Sequence, residues 1–118
     1  MSNEAKNPGE VTLCVSNGYK KKFYLNENFN QLPQSIRDEL KIMCVLYTED
    51  VGGILELVFD EDGTLQFKTS CEENDFLYDE IGSVLKIKQY QNEKRDLLEA
   101  LEMFYRIIYL GEGLDEED

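Results

Sequence analysis

Two apolar alternations, each interrupted by an Asx-Gly pair, constrain this chain more than any other feature. One runs "VTLCVSNGYKKKFYL" around Asn17-Gly18 and the other "ILELVFDEDGTLQF" around Asp62-Gly63. Asx-Gly between alternating apolar positions marks a β-hairpin, because both residues tolerate the left-handed backbone of tight turns. Register then selects the loop length. In the first hairpin a two-residue turn separates the apolar residues of the two strands onto opposite faces. A three-residue loop, Ser16-Asn17-Gly18, pairs Val15 with Tyr19, Leu13 with Lys21 and Val11 with Phe23, and gathers the apolar set on one face. The second hairpin follows the same rule. With loop Glu61-Asp62-Gly63, Phe59 faces Leu65, Leu57 faces Phe67 and Leu55 faces Thr69.

Each hairpin precedes a helical pattern. "NQLPQSIRDELKIMCVLYTEDVGG" carries an N-cap candidate, Asn30, a first-turn Pro33 and a stop at Gly52-Gly53. Leu32, Ile36, Leu40, Met43 and Tyr47 form one stripe, and Ile42, Val45 and Leu46 add to its C-terminal half, which is expected to be the more enclosed end. Downstream, Ser70 and Glu73 have capping-box spacing, and Leu77, Ile81, Val84 and Leu85 share a face. Apolar positions return at Leu97, Leu98 and Leu101, turned through roughly 200°. That rotation favours a chain break near Gln91-Asn92 with Asn92 as cap over one continuous helix. In the last segment, "LLEALEMFYRIIYL", the apolar arc spans on the order of 260°. A single sheet cannot cover so wide an arc, so this helix is expected to be sandwiched, either between the sheet and the first helix or between two subunits.

The expected architecture is α+β: a four-stranded antiparallel sheet from two β-hairpins (β-β-α-β-β-α-α), with helices packed on one face. One domain covers residues 10–110, flanked by a flexible arm over 1–9 and an acidic tail over 111–118. Strand order is not readable from the pattern.

The 118 residues carry 25 acids against 12 bases, a formal charge of −13. Such a surface repels phosphate backbones, so no nucleic-acid partner is expected. The one basic run, Lys20 to Lys22, reads as a solvated edge strand. No signal segment and no membrane-length apolar run is present, which points to a cytoplasmic protein without a membrane partner. Cys14 and Cys44 sit among apolar neighbours and read as small core residues. Cys71, beside three carboxylates, reads as inert.

Chemistry is thin. An EF-hand loop with Gly63 at its sixth position would place Val58 and Thr69 where carboxylates are needed, so "DEDG" is a turn. With no histidine and no Cys-x-x-Cys pair, neither a metal site nor a cofactor is expected, and Ser-His and Cys-His nucleophiles are excluded. Paired carboxylates remain, with Glu49, Asp50, Asp79 and Glu80 as candidates for a hydrolase. The leading expectation is a non-enzymatic protein–protein interaction or regulatory module, self-associating as a homodimer. Its candidate interface is Tyr90, Leu98, Met103, Ile107, Tyr109 and Leu110, with no catalytic residues. The second is an acidic decoy or immunity-type protein that neutralises a basic partner, and the third is the carboxylate hydrolase.

The run "YLNENFNQLPQSIRDELKIMCVLYTEDVGGILELVFDEDGTLQFKT", then "LYDEIG" and "YLGE", resembles a family of small acidic proteins of clostridia and their relatives. That family is a domain of unknown function. The resemblance covers most of residues 10–112 and implies a cytoplasmic bacterial protein, with no assigned activity or catalytic residue to transfer.

Overall fold

A computed structural model of the chain describes residues 9–111. The expected N-terminal arm, apart from Gly9, and the acidic tail from 112 onward lie outside the described residues. The elements are β1 (Val11–Asn17), β2 (Lys22–Leu25), a 3-10 turn (Glu27–Phe29), α1 (Gln34–Val51), β3 (Ile54–Phe59), β4 (Leu65–Ser70), α2 (Glu80–Glu93) and α3 (Arg95–Ile108). The four strands form one antiparallel sheet in the order β2-β1-β3-β4, so the two hairpins meet through β1 and β3. The α+β class and the two-hairpin sheet are therefore as the sequence implies, with a 3-10 turn added before α1.

The second hairpin has the expected register: Phe59 pairs with Leu65, Leu57 with Phe67 and Leu55 with Thr69. Asp60 closes the loop by accepting from the backbone N–H groups of Asp62 and Thr64, and Gly63 takes φ +86°. The carboxylate is held below its usual range, chiefly by the bond from Thr64. "DEDG" is structurally a turn.

The first hairpin departs from expectation. Val15 pairs with Tyr24, Ser16 with Phe23 and Asn17 with Lys22, leaving a four-residue connection, Gly18 to Lys21. Two causes are visible. The pairing of β1 with β3 shifts between Thr12 and Cys14, a bulge that turns both Leu13 and Cys14 into the core. Beyond it the even positions, Cys14 and Ser16, face inward and Val15 does not, so the parity used to choose the loop is reversed. Asn26 meets the bulge's exposed backbone, its N–H donating to the Leu13 carbonyl and its amide to that of Thr12. At the tip, Gly18 does not turn left-handed but donates its N–H to the Gly53 carbonyl at 2.8 Å. Asn17 Oδ1 accepts from Tyr19 and Lys20, and Lys21 takes the positive φ of 54° instead.

α1 lies on the sheet face that carries Cys14 and Ser16. Ser16 Oγ and Thr48 Oγ1 are 2.9 Å apart, and the Cys14 and Cys44 sulfurs 3.8 Å, both pairs buried. Pro33 occupies the N-cap position with no side-chain cap, while Asn26, not Asn30, caps the 3-10 turn. Gly52 ends the helix at φ +89°. Met43, Cys44, Tyr47, Thr48 and Val51 are buried, against Leu40 alone earlier in the helix, so the C-terminal half is the more enclosed end as expected, although Ile42 and Leu46 are exposed and take no part in it. α3 returns to the same sheet face through a stack of rings: Tyr105 lies on Phe59 at 4.3 Å between centroids, and Tyr109 on Phe29 at 5.1 Å.

Gly53 is where hairpin, helix and loop converge. Its φ is +72°, and an added Cβ would stand 2.6 Å from the Ser70 carbonyl and 2.7 Å from the Tyr78 ring. Gly53→Ala is expected to cost roughly 2–4 kcal/mol of stability, read as a lower urea midpoint. The pH dependence is also fixed by the core. Burial raises the Tyr47, Tyr90 and Tyr105 phenols above their ordinary range, and burial together with Cys44 raises the Cys14 thiol. These groups hold their protons longer folded than unfolded. Stability is therefore full below their unfolded pKa values and falls as pH climbs past about 9–10, where the unfolded chain ionises first. Lacking histidine, the chain should show no such change between about pH 6 and 8. Urea titrations across alkaline pH check both.

Candidate functional site

The orientation of α2 is the main surprise. Capping-box spacing at Ser70 and Glu73 points to a helix from about 71, yet Ser70 is the last residue of β4 and pairs with Ile54. Residues 71–79 form a loop pinned from the first hairpin. The Tyr19 hydroxyl donates to Asp75 Oδ2 at 2.5 Å and accepts from the Glu72 N–H at 2.9 Å. The helix starts later, where the Asp79 side chain accepts from the Gly82 N–H. It ends at Lys94, whose φ of −106° and ψ of 27° break it from α3. The break expected near Gln91-Asn92 thus exists two residues further on, without Asn92 as cap.

What turns α2 about its axis is a hydroxyl. Tyr47 is fully buried, and its O–H lies 2.6 Å from Ser83 Oγ and 3.5 Å from the Tyr78 hydroxyl. A buried phenol without a partner is costly, so Ser83 must face inward. Tyr90, two turns on, follows it into the core beneath Lys86, which also pairs with Asp50 at 3.0 Å. Ile81, Val84 and Leu85 are thereby left outward, with Phe76 and Leu77 before them. Leu77 is 92% exposed and Leu85 62%. The stripe read as a core face is the outer face.

α3 shows the converse. Leu97, Leu101 and Tyr105 are buried, one ordinary stripe rather than a sandwiched arc, and the opposite face mixes Asp96, Glu99 and Arg106 with Met103. The sandwiching of this helix within the chain does not occur. The six interface candidates therefore scatter. Tyr90 is in the core, and Leu98 and Ile107 are half-buried. Tyr109 stacks on Phe29 and Tyr105 and Leu110 adjoins Gly63, both remaining partly open to solvent, and Met103 is the most exposed of the six at 61%. Two charged residues of α3 have structural roles: Glu102 accepts from the Leu65 N–H, and Arg106 packs over Gly63. Helical periodicity could not find the α2 surface, because it counts apolar side chains and not the partner demanded by Tyr47.

A second feature lies at the tip of the first hairpin. A cleft of about 470 Å³ opens between β1, β2 and α1, lined by Lys21, Lys22 and Lys41, with Glu49 its sole carboxylate. Ser16, Asn17 and Thr48 supply polar groups, and Phe23 and Val45 supply apolar wall. Two of the three lysines read as a solvated edge strand thus line a cavity. The carboxylate candidates do not gather there: Asp50 pairs with Lys86, Asp79 caps α2, Glu80 is exposed, and only Glu49 reaches the cleft. Among the described residues no group of three or more His, Cys, Asp or Glu side chains is placed to hold a metal ion. No helix of these residues is long and apolar enough to cross a membrane.

Residues 10–113 match the profile of a family of unknown function, DUF6145. The chain belongs to that family. No curated protein and no solved structure matches this DUF6145 chain. The family match spans both hairpins and all three helices, so the outward α2 face and the basic cleft both lie within the DUF6145 region.

Removing the group that orients α2 gives a direct check. Ser83→Ala should destabilise the chain by about 1–3 kcal/mol, and adding Tyr47→Phe should restore part of it, because both polar partners are then gone. Chemical denaturation of the two single variants and the double variant measures the coupling.

Proposed function

We propose that this protein is a cytoplasmic, non-enzymatic interaction module that self-associates through the outer face of α2. The observation that carries the reading is that α2 turns serine and tyrosine inward while its own aliphatic stripe faces water. Within α2, Ile81, Val84 and Lys88 follow a 3-4 spacing, the seam of a short coiled-coil contact, with Leu85 beside it.

A second copy suits this face by charge. Within α2 the acids Glu80 and Glu93 balance Lys86 and Lys88, so the helix is formally neutral in a chain of −13. Two antiparallel copies about a two-fold axis near Val84 would bring Val84 and Leu85 together. Glu80 of each copy would then lie near Lys88 of the other, about 6 Å on either side of the axis. The remaining surfaces repel, so association should tighten as salt rises. The acidic-decoy reading, supported by the net charge alone, has the opposite sign: a basic partner would be released by salt.

Sedimentation equilibrium tests this. The chain should dimerise at micromolar concentration, more tightly in high salt. Leu85→Glu should give folded monomers whose melting temperature no longer depends on protein concentration, while Met103→Glu on α3 should leave the dimer intact. A parent chain that stays monomeric at high micromolar concentration, or a dimer indifferent to Leu85→Glu, overturns the reading.

A further inference from the structure

The cleft at the hairpin tip is distinct from the α2 face and has a chemistry of its own. In a chain with twice as many acids as bases, its lining reverses the balance: three lysines face one glutamate. Three lysines outside the cleft are neutralised, Lys68 by Glu10, Lys86 by Asp50 and Lys94 by Glu39, while among the described residues Lys20 and Lys88 are not. Lys21, Lys22 and Lys41 form no ion pair among the described residues.

The backbone adds an independent observation. Lys21 is the only non-glycine residue among those described with positive φ, at 54°, a conformation that disfavours a lysine by about 1–2 kcal/mol. Glycine would suit the turn better. Strain held at one residue in the mouth of a cavity is characteristic of a site whose side chain has another task.

Size, charge and wall together define the ligand. The cavity is of small-molecule dimensions. Its formal lining charge of +2 complements a phosphate monoester, which carries about −1.5 to −2 near neutral pH. Phe23 and Val45 offer apolar wall to an organic group, and Asn17 and the buried Ser16–Thr48 pair contribute polar groups. We propose that this cleft binds a small organic phosphate monoester, its dianionic group held by Lys21, Lys22 and Lys41 and its organic part lying on Phe23 and Val45.

Isothermal titration of the full chain at low salt tests the proposal with phenyl phosphate, inorganic phosphate and benzyl alcohol as probes. Phenyl phosphate should bind with sub-millimolar affinity, inorganic phosphate at least about tenfold more weakly, and benzyl alcohol not detectably. Lys41→Gln and Lys21→Gly should each weaken phenyl phosphate about fivefold, the second with a melting temperature no lower than the parent's. Leu85→Glu should bind phenyl phosphate like the parent, which separates this site from the α2 face. Absence of phenyl phosphate binding at about 5 mM overturns the proposal. So does equal affinity for inorganic phosphate, or an affinity unmoved by either lysine variant.

Discussion

The buried hydroxyl of Tyr47 is the constraint on which the arrangement of the helices depends. α1 must bury Tyr47 to cover the sheet, since the ring sits in the same stripe as Leu40 and Met43. Once buried, its O–H needs a partner at hydrogen-bond distance, and Ser83 supplies one at 2.6 Å. That single contact sets the roll of α2. A helix in which an apolar residue took the place of Ser83 would leave the phenol only its long 3.5 Å contact with the Tyr78 hydroxyl, whatever it gained in burial.

The consequences pass outward from there. With Ser83 and Tyr90 inward, the ion pairs of Lys86 with Asp50 and of Lys94 with Glu39 fall along the seam between α1 and α2. The aliphatic residues of α2 are left outside, beside a loop that Tyr19 ties to the first hairpin. α3 then needs only one stripe for the sheet, and its ring stack on Phe59 and Phe29 closes the far end of the core. One end of the molecule is thus sealed by aromatic packing. The other, at the tip of β1, is held by the hydroxyl pair of Ser16 and Thr48 and by the Gly18–Gly53 bond, and there the cleft opens.

Local sequence served best where structure is local. The second hairpin was legible to the residue, because loop, register and alternation all concern neighbours in the chain. The first hairpin has the same Asx-Gly signal, yet its register depends on a bulge at Leu13 that exists to fit β3 and on a glycine drawn to Gly53. Neither partner is nearby in sequence. The two surfaces that stand out were hidden for the same reason: Lys41 joins Lys21 and Lys22 only after folding, and Leu85 looks like core until Tyr47 is placed.

By itself, then, the sequence determined the class of fold, the paired hairpins, the stop at Gly52-Gly53 and the acidic balance, all encoded in short windows of residue type. Tertiary structure alone decided which way α2 faces, where the first hairpin turns and which lysines share a cavity. The physical reason is that hydrophobic periodicity records how much apolar surface a helix has. Its orientation is chosen by the few polar groups that cannot be buried unpaired, and their partners lie far away in the chain.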